Sequence, residues 1–406
     1  MTLSTSKDLI NSRGAIIAAL AISAVGAVFY NLLPLFIGTA QDQLQLSDQR
    51  VGLIGSIFFL GYNLVTISAF FWVRRFSWKA ICLVSMPLAA LALLGAVFFP
   101  GYQMLLVSVF LSGGAFSAFY GVGATALGDT RNPARWYGMK IAVEALLGAV
   151  LLFLLPLLVI GTWGFNGLLV GMAVTALLAL PFVATLPDRG TKGAAHEMGD
   201  KRSALGAAHK IAIVLSLLAI LCFFVGASAA WSFVERLGND GGHNRVNVAA
   251  ILALTLLFAV AGSLLVAWTS DRFGYFKPHA LAMLGYLIAL SLLSGSGNLL
   301  YYGMGACLLT LSIGVSIPVL IAVTAMLDTD GRYIILSVPA LGIGAMLGPG
   351  IAGLLTGGVS YTPILFFTGV SGLVSLLLVG LALYLVKCGS FSINTTEPYE
   401  EVRISG

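Results

Sequence analysis

Twelve long stretches of this 406-residue chain carry almost no charged side chain. A run of about 20 apolar residues is enough for a helix to cross the hydrocarbon core of a bilayer. Of all residues, 59% are hydrophobic and 9% are charged, whereas soluble domains are about 25% charged. The pattern predicts an all-α polytopic membrane protein and excludes a water-soluble enzyme, a nucleic-acid binder and a disulfide scaffold. The predicted spans are 14–37, 51–73, 79–98, 102–127, 136–160, 164–186, 210–234, 246–269, 279–295, 298–326, 333–356 and 361–386.

The basic residues are distributed unevenly between the two sides of these spans. Only three of the 21 Lys and Arg residues, Arg50, Arg236 and Arg245, lie on the side opposite to the termini. Lys and Arg are enriched in cytoplasmic connections. The distribution therefore predicts a multi-pass protein of the inner (plasma) membrane with both termini in the cytoplasm. We call the two sides the predicted cytoplasmic face and the predicted outer face.

One polar connection is longer than the others and divides the spans six and six. Short segments also recur at an offset of about 200 residues, at corresponding places in the two halves, as an internal repeat would require. The chain is therefore predicted to comprise an N-terminal bundle (1–186), a cytoplasmic linker (187–209), a C-terminal bundle (210–386) and a cytoplasmic tail (387–406). The recurring segments are Val25-Gly26-Ala27 with Val225-Gly226-Ala227, Thr125–Thr130 with Thr324–Thr329, and Arg75-Phe76-Ser77 with Arg272-Phe273-Gly274.

The connection after the eighth span carries a charged motif, Ala267-Trp268-Thr269-Ser270-Asp271-Arg272-Phe273-Gly274-Tyr275-Phe276-Lys277. It resembles the cytoplasmic signature of the major facilitator superfamily, Gly-x-x-x-Asp-Arg-x-Gly followed by basic residues. Six plus six helices in a parallel repeat are also the architecture of that superfamily. The resemblance implies twelve helices in two pseudo-symmetric six-helix bundles. Two departures are Ala267 in place of the leading Gly and Arg74 in place of the usual Asp of the first half.

The resemblance also implies a conformational latch at the predicted cytoplasmic face. The Asp of the signature engages the start of a helix from the other half, where the helix dipole favours an anion. In the first half the signs are reversed, which predicts basic residues of the 2–3 connection facing acidic residues of the 10–11 connection. The alternative is that these basic residues only set orientation and meet lipid phosphates. The predicted latch comprises Asp271 and Arg272 with Arg135, and Arg74 and Arg75 with Asp328, Asp330 and Arg332.

Ionisable residues inside a bilayer are costly and usually mark a functional path. Glu144 lies within the fifth span, and Lys140 lies on the same helix face at i−4. We predict that Glu144 carries a coupled proton; the alternative is a static Lys140–Glu144 pair that neutralises both charges. Glu235, at the outer end of the seventh span, is predicted to gate the outer mouth or to bind substrate. Its alternative is an interfacial pair with Arg236.

Polar and aromatic residues lie in the helices that line the central cavity in the superfamily. A side-chain amide in hydrocarbon needs a partner, so the two Asn residues are predicted to face the bundle interior. The alternative is helix–helix hydrogen bonding without substrate contact, and for the Trp a place at the membrane interface. The predicted cavity residues are Tyr30, Asn31, Tyr62, Asn63, Tyr120 and Trp231, together with Glu235.

The eleventh span contains a run of small residues with a proline, around Gly348 and Pro349, which predicts a bend. The run resembles the Gly-x-x-x-Gly-Pro signature that drug/proton antiporters of the superfamily carry in the fifth span. Here the fifth span lacks it, and the fourth span lacks the intramembrane Arg of that group. These departures weigh against a drug exporter.

The sequence thus predicts a secondary transporter of a small organic solute, acting by alternating access and coupled to protons as a symporter or an antiporter. A drug or amphipath exporter of the same fold is one alternative, and a membrane-embedded sensor or enzyme is another. An enzyme is not expected, because the four His lie in connections or at span ends and form no cluster with acids or Cys. We expect no cofactor, no metal and no nucleic-acid partner; the predicted partners are the substrate, protons and the lipid bilayer, with the protein as a monomer.

Overall fold

The computed structural model describes residues 9–131, 133–190, 207–273, 275–328, 333–357 and 360–393. Within those ranges the chain is helical and contains no strand. The membrane helices are α1 (Arg13–Gly26 and Val28–Leu44, interrupted at Ala27), α2 (Asp48–Trp72), α3 (Trp78–Phe98), α4 (Tyr102–Gly128), α5 (Pro133–Leu155), α6 (Gly161–Leu178), α7 (Ala207–Asp240), α8 (Arg245–Phe273), α9 (Phe276–Ser294), α10 (Leu299–Leu327), α11 (Ser337–Leu355) and α12 (Thr362–Ile393).

Eleven helical stretches of the described chain are long and apolar enough to cross a membrane, and one of them is a folded-back pair. The stretch Arg135–Val183 has 49 residues, or about 73 Å at 1.5 Å per residue, more than twice the thickness of the hydrocarbon core. It reverses at Gly164, whose φ of 62° favours glycine. The backbone N–H of Phe165 donates to Gln43 Oε1 at 2.6 Å, which secures the reversal. Helices α5 and α6 therefore form two crossings, and the predicted twelve spans are confirmed.

Two helices extend beyond their predicted ends at the predicted outer face. Helix α1 reaches Leu44 rather than residue 37, and α7 reaches Asp240 rather than residue 234. The prediction ended the spans at turn residues or charges, before Gly38 in α1 and before Glu235 in α7. In the structure Asp42 of α1 pairs with Arg236 of α7, so both helices continue through these charged residues.

Helices of the two halves meet in pairs that follow the internal repeat. Helix α2 packs on α11 and α5 packs on α8, and these two contacts are related by exchanging the halves. Helix α1 packs on α7, its own repeat partner. Within the halves, α2 packs on α4 as α8 packs on α10. The predicted fold class, two pseudo-symmetric six-helix bundles, is confirmed. The central part of the predicted linker and the end of the tail, 191–206 and 394–406, lie outside the described residues.

Glycines allow α2 and α11 to touch at backbone distance toward the predicted outer face. A Cβ on Gly52 would collide with the carbonyl oxygen of Pro349, and a Cβ on Gly353 with that of Asp48. The hydroxyl of Ser56 accepts the N–H of Gly350 at 2.9 Å. Gly348 faces α7, where an added Cβ would meet Ser228. Of the two predicted bending residues, Pro349 thus lies at the contact between the halves and Gly348 lies inside the C-terminal half; α11 continues as a helix through Pro349.

Helices α2 and α4 make a similar contact within the N-terminal half, which predicts a measurable loss of stability. A Cβ on Gly113 would lie against the backbone carbonyl of Phe58. We expect Gly113→Ala to destabilise the protein by about 1–3 kcal/mol, because a backbone carbonyl cannot move away cheaply. Thermal unfolding in detergent measures the change. Gly121→Ala, on the same helix with open space around its Cβ, is the control; equal melting temperatures for the two variants would contradict the prediction.

Candidate transport site

Lys140 and Glu144 form a buried ion pair on α5. Lys140 Nζ lies 2.6 Å from Glu144 Oε1, and the two side chains are 7% and 14% exposed. The ammonium also donates to the Tyr120 hydroxyl at 2.6 Å and lies 4.2 Å from the centre of that ring. Opposite charges one helical turn apart meet on one face, and α4 supplies the hydroxyl. The predicted pair is therefore a three-residue cluster that joins α4 and α5.

A row of aromatic rings extends from this cluster to the C-terminal half. Tyr62 lies 6.0 Å from Tyr120 and 6.3 Å from Phe59 between ring centres. Tyr30 then lies 6.0 Å from Phe59 and stacks on Phe224 of α7 at 5.9 Å. The row brings together the three predicted tyrosines of α1, α2 and α4 and adds Phe59 and Phe224. Sequence reasoning missed these two, because Phe is a common residue of apolar spans and carries no distinguishing signal there.

The two predicted asparagines bond to the backbone of neighbouring helices. Asn31 Nδ2 donates to the carbonyl of Glu144 at 2.9 Å, which ties α1 to α5 beside the ion pair. Asn63 Nδ2 donates to the carbonyl of Gly342 at 2.7 Å, which ties α2 to α11 across the halves. Both contacts are hydrogen bonds between helices, which is the alternative to a direct contact with substrate. Asn31 nevertheless borders the Lys140–Glu144 cluster through the Glu144 backbone.

Trp231 and the residues that follow it on α7 lie at the contact with α1. Trp231 is 3% exposed, and its indole N–H donates to the carbonyl of Tyr30 at 2.9 Å. It therefore lies between the halves rather than at the lipid interface. Glu235 is 7% exposed, and its Oε1 accepts from Asn239 at 2.5 Å. Its neighbour Arg236 pairs with Asp42 of α1 instead of with Glu235.

Asp42 connects α1 to two basic residues of the other half. It pairs with Arg236 of α7 and, at 3.0 Å, with Arg245 of α8. Two of the three basic residues on the predicted outer face thus share one carboxylate. We call Asp42, Glu235, Arg236 and Arg245 the outer gate. Sequence reasoning missed Asp42, although the scarcity of Arg on that face was a signal that an acidic partner should exist.

The latch residues have other partners in this structure. Arg74 forms a two-point pair with Asp129 of its own half, at 2.9 and 3.0 Å, and not with Asp328. This hydrogen-bonded carboxylate raises the pKa of Arg74. Asp328 accepts the backbone N–H groups of Tyr333 and Ile334 at 2.6 and 2.7 Å, inside the C-terminal half. The predicted Arg74–Asp328 pair is therefore absent from these described contacts.

The physical reason is that each acid is already bound by donors of its own half, Asp129 by Arg74 and Asp328 by two backbone N–H groups. Asp129 and Asp328 are repeat-related, and each ends α4 or α10. Arg75 is exposed, and Arg135 stacks near the ring of Trp136, with 5.1 Å between the guanidinium carbon and the ring centre. Asp330 and Arg332 lie outside the described residues, as do the side chains of Asp271 and Arg272 at the end of α8.

A cavity of about 250 Å³ lies beside the outer gate. It is bordered by α1, α7, α8 and the segment 156–161 that joins α5 to α6. The polar lining residues are Thr39, Asp42, Gln43, Glu235 and Arg245. Within the part of the chain that the structure describes, no three His, Cys, Asp or Glu side chains come close enough to hold a metal ion.

A membrane bundle of two six-helix halves that meet through α1–α7, α2–α11 and α5–α8 is the architecture of a secondary transporter. The family model of the Major Facilitator Superfamily matches residues 16–333, and the chain belongs to this superfamily. It is a multi-pass membrane transporter and not an enzyme. No curated protein sequence matches the chain significantly.

Solved structures of several transporters share the fold. A variant of the nucleoside transporter NupG superposes with a TM-score of 0.70 at 11% identity, covering 90% of this chain and 99% of that one. A variant of the peptide transporter POT gives 0.72 at 13% identity, covering 95% and 99%. A bacterial homolog of the human lysosomal transporter Spinster gives 0.63 at 14% identity, covering 95% and 98%. At these identities the likeness concerns the fold alone.

Proposed function

We propose that this protein moves a small organic solute by alternating access and couples the movement to protons at Glu144. The observation that carries the proposal is the buried Lys140–Glu144–Tyr120 cluster at one end of the aromatic row. An ion pair taken out of water is costly to maintain. Residues of this kind inside a membrane usually lie on an ion or substrate path.

The cluster can couple proton and substrate binding through one exchange of partners. While Glu144 is ionised, it neutralises Lys140 and the site carries no net charge. When Glu144 takes up a proton, Lys140 keeps its charge and is left with the Tyr120 hydroxyl and ring. A substrate carboxylate or carbonyl then replaces the Glu144 carboxylate as the partner of the ammonium.

The aromatic row supports a substrate with a flat or amphipathic part. Rings stack on flat groups, and their faces tolerate apolar surface. Tyr30, Tyr62 and Tyr120 add hydroxyl groups for neutral polar substituents. We therefore infer a neutral or zwitterionic solute with an aromatic or apolar portion and one group that can meet Lys140.

Flux into proteoliposomes tests this function directly. A panel of zwitterionic and neutral metabolites would be assayed with an imposed pH gradient and with that gradient collapsed by an ionophore. We expect at least one flat or amphipathic solute to accumulate only with the gradient. Accumulation that does not depend on the pH gradient would contradict proton coupling. Absence of flux for every member of the panel would contradict the proposed substrate class.

A further inference from the structure

Glu235 is buried between the two halves with one carboxylate oxygen lacking a partner. Its Oε2 is inaccessible and has no hydrogen-bond donor, while Oε1 accepts from Asn239. The carboxylate fills the space that a side chain on Gly38 of α1 would occupy. Closing α7 onto α1 therefore places this oxygen against the backbone of a glycine.

Ionised Glu235 would be poorly stabilised in this position. An anionic oxygen that faces apolar atoms has lost its hydration without gaining a donor. The nearest cations, Arg236 and Arg245, are already bound to Asp42. Asp240 also lies 3.6 Å from Arg236. Together with the outer gate it makes a group of three acids and two bases. The closed arrangement thus favours the neutral acid.

We propose that Glu235 is a proton-binding site whose occupancy closes the outer gate. With the proton bound, α7 packs on Gly38 and Asp42 bridges α7 and α8. When the proton leaves, the charged carboxylate requires water, which the adjoining cavity of about 250 Å³ can admit only if α1 and α7 separate. The inference rests on the proposed alternating-access function but not on proton binding at Glu144.

Other charged and titratable groups lie near Glu235, and their effects on the pH response have to be distinguished from that of Glu235. Arg236 and Arg245 are both bound to Asp42 in the closed arrangement. The ring of His243 lies 5.8 Å from that of Tyr302, whose hydroxyl donates to the carbonyl of Val234. A substitution of His243 is therefore needed as a control for Glu235. The charged and titratable groups at this face are Asp42 on α1, Asp48 on α2, Arg236 and Asp240 on α7, His243 in the α7–α8 connection, Arg245 on α8, Tyr302 on α10 and Tyr361 before α12.

Distances between spin labels at the outer ends of α1 and α10 test the proposal. The labels would replace Leu44 and Leu300, both exposed, in a protein in nanodiscs that lacks its four cysteines. We expect the population with a long distance to grow severalfold from pH 5.5 to pH 8.5. In Glu235→Gln, a permanent mimic of the neutral acid, the short distance should persist at both pH values.

Three further variants and one change of buffer cation make the outcome decisive. His243→Gln should keep the pH response. The Lys140→Gln, Glu144→Gln double variant, which leaves no lone buried charge, should keep it too, so a failure of the Glu144 proposal in flux assays is distinguishable from a failure here. Gly38→Ala, which places a methyl group where the carboxylate lies, should raise the long-distance population already at pH 5.5. This variant tests the same contact if Glu235→Gln does not fold. Replacing Na⁺ by choline should change nothing.

Several results would overturn the proposal. The first is a wild-type distance distribution that does not depend on pH, and the second is a pH response that survives in Glu235→Gln. The third is a response that disappears in His243→Gln or in the Lys140→Gln, Glu144→Gln double variant. A Na⁺-dependent distance would show that the site binds a metal cation instead of a proton.

Discussion

Neutralising Lys140 and Glu144 together is expected to leave a transporter that exchanges substrate but no longer accumulates it. With one proton per substrate, a gradient of two pH units sustains an accumulation of about 100-fold, because each tenfold ratio is worth about 1.4 kcal/mol. The Lys140→Gln, Glu144→Gln double variant removes the proton site without leaving a lone charge. We expect accumulation to fall to the equilibrium ratio of one, while counterflow of labelled substrate persists.

The double variant is more informative than either single variant. Removing one member of a buried pair leaves an uncompensated charge, which typically costs about 3–5 kcal/mol. Glu144→Gln alone is therefore expected to lose accumulation and some stability together. If the pair were only static, the double variant would recover gradient-driven accumulation. Asp188→Asn is the matched control, since that carboxylate is exposed and lies 3.9 Å from Lys79 outside the spans.

A large side chain at Gly52 is expected to hold the predicted outer face open and to stop transport. Gly52 touches the carbonyl of Pro349 where α2 meets α11. Overpacking of about 1–3 kcal/mol in one state shifts a two-state equilibrium by roughly 5- to 150-fold toward the other. Because this contact joins the halves, Gly52→Leu should penalise the closed state more than folding. Flux should fall by a similar factor, and the Leu44–Leu300 label distance should lengthen.

The control for Gly52→Leu lies on the same face. Gly297 is exposed in the connection before α10 and has open space around its Cβ. Gly297→Leu should leave both flux and label distance unchanged. Unchanged flux and distance in Gly52→Leu would show that the α2–α11 contact does not limit the transport cycle.

The described contacts between the halves are concentrated toward the predicted outer face and the middle of the bundle. They include the outer gate, the Trp231–Tyr30 hydrogen bond and the packing of Gly52 on Pro349. A transporter closed on one side is expected to make its opposing latch only after the halves rock. The predicted pairing of Arg74 with Asp328 therefore stays a prediction for a state with the other face closed.

Hydropathy and the positions of basic residues carried the prediction of the fold, because each depends on local composition. A run of apolar residues must satisfy its backbone within itself in lipid, which leaves a helix. The Lys140–Glu144 pair could also be predicted from the sequence, since residues i and i+4 share a face of any helix. The folded-back pair α5–α6 was also separated correctly, because the short stretch 161–163 divides the long apolar run at the place where the chain reverses.

The partners of most site residues were decided by the tertiary structure. Asp42 lies near Arg236 only because α1 packs on α7, and Asn63 reaches Gly342 only because α2 packs on α11. No local pattern encodes such contacts between residues about 200 or more positions apart. The sequence by itself determined twelve spans, the repeat and the buried pair of α5. Which helix faces meet, and therefore which charges are neutralised and which oxygen of Glu235 lacks a donor, depends on the close packing of glycine-rich surfaces between the halves.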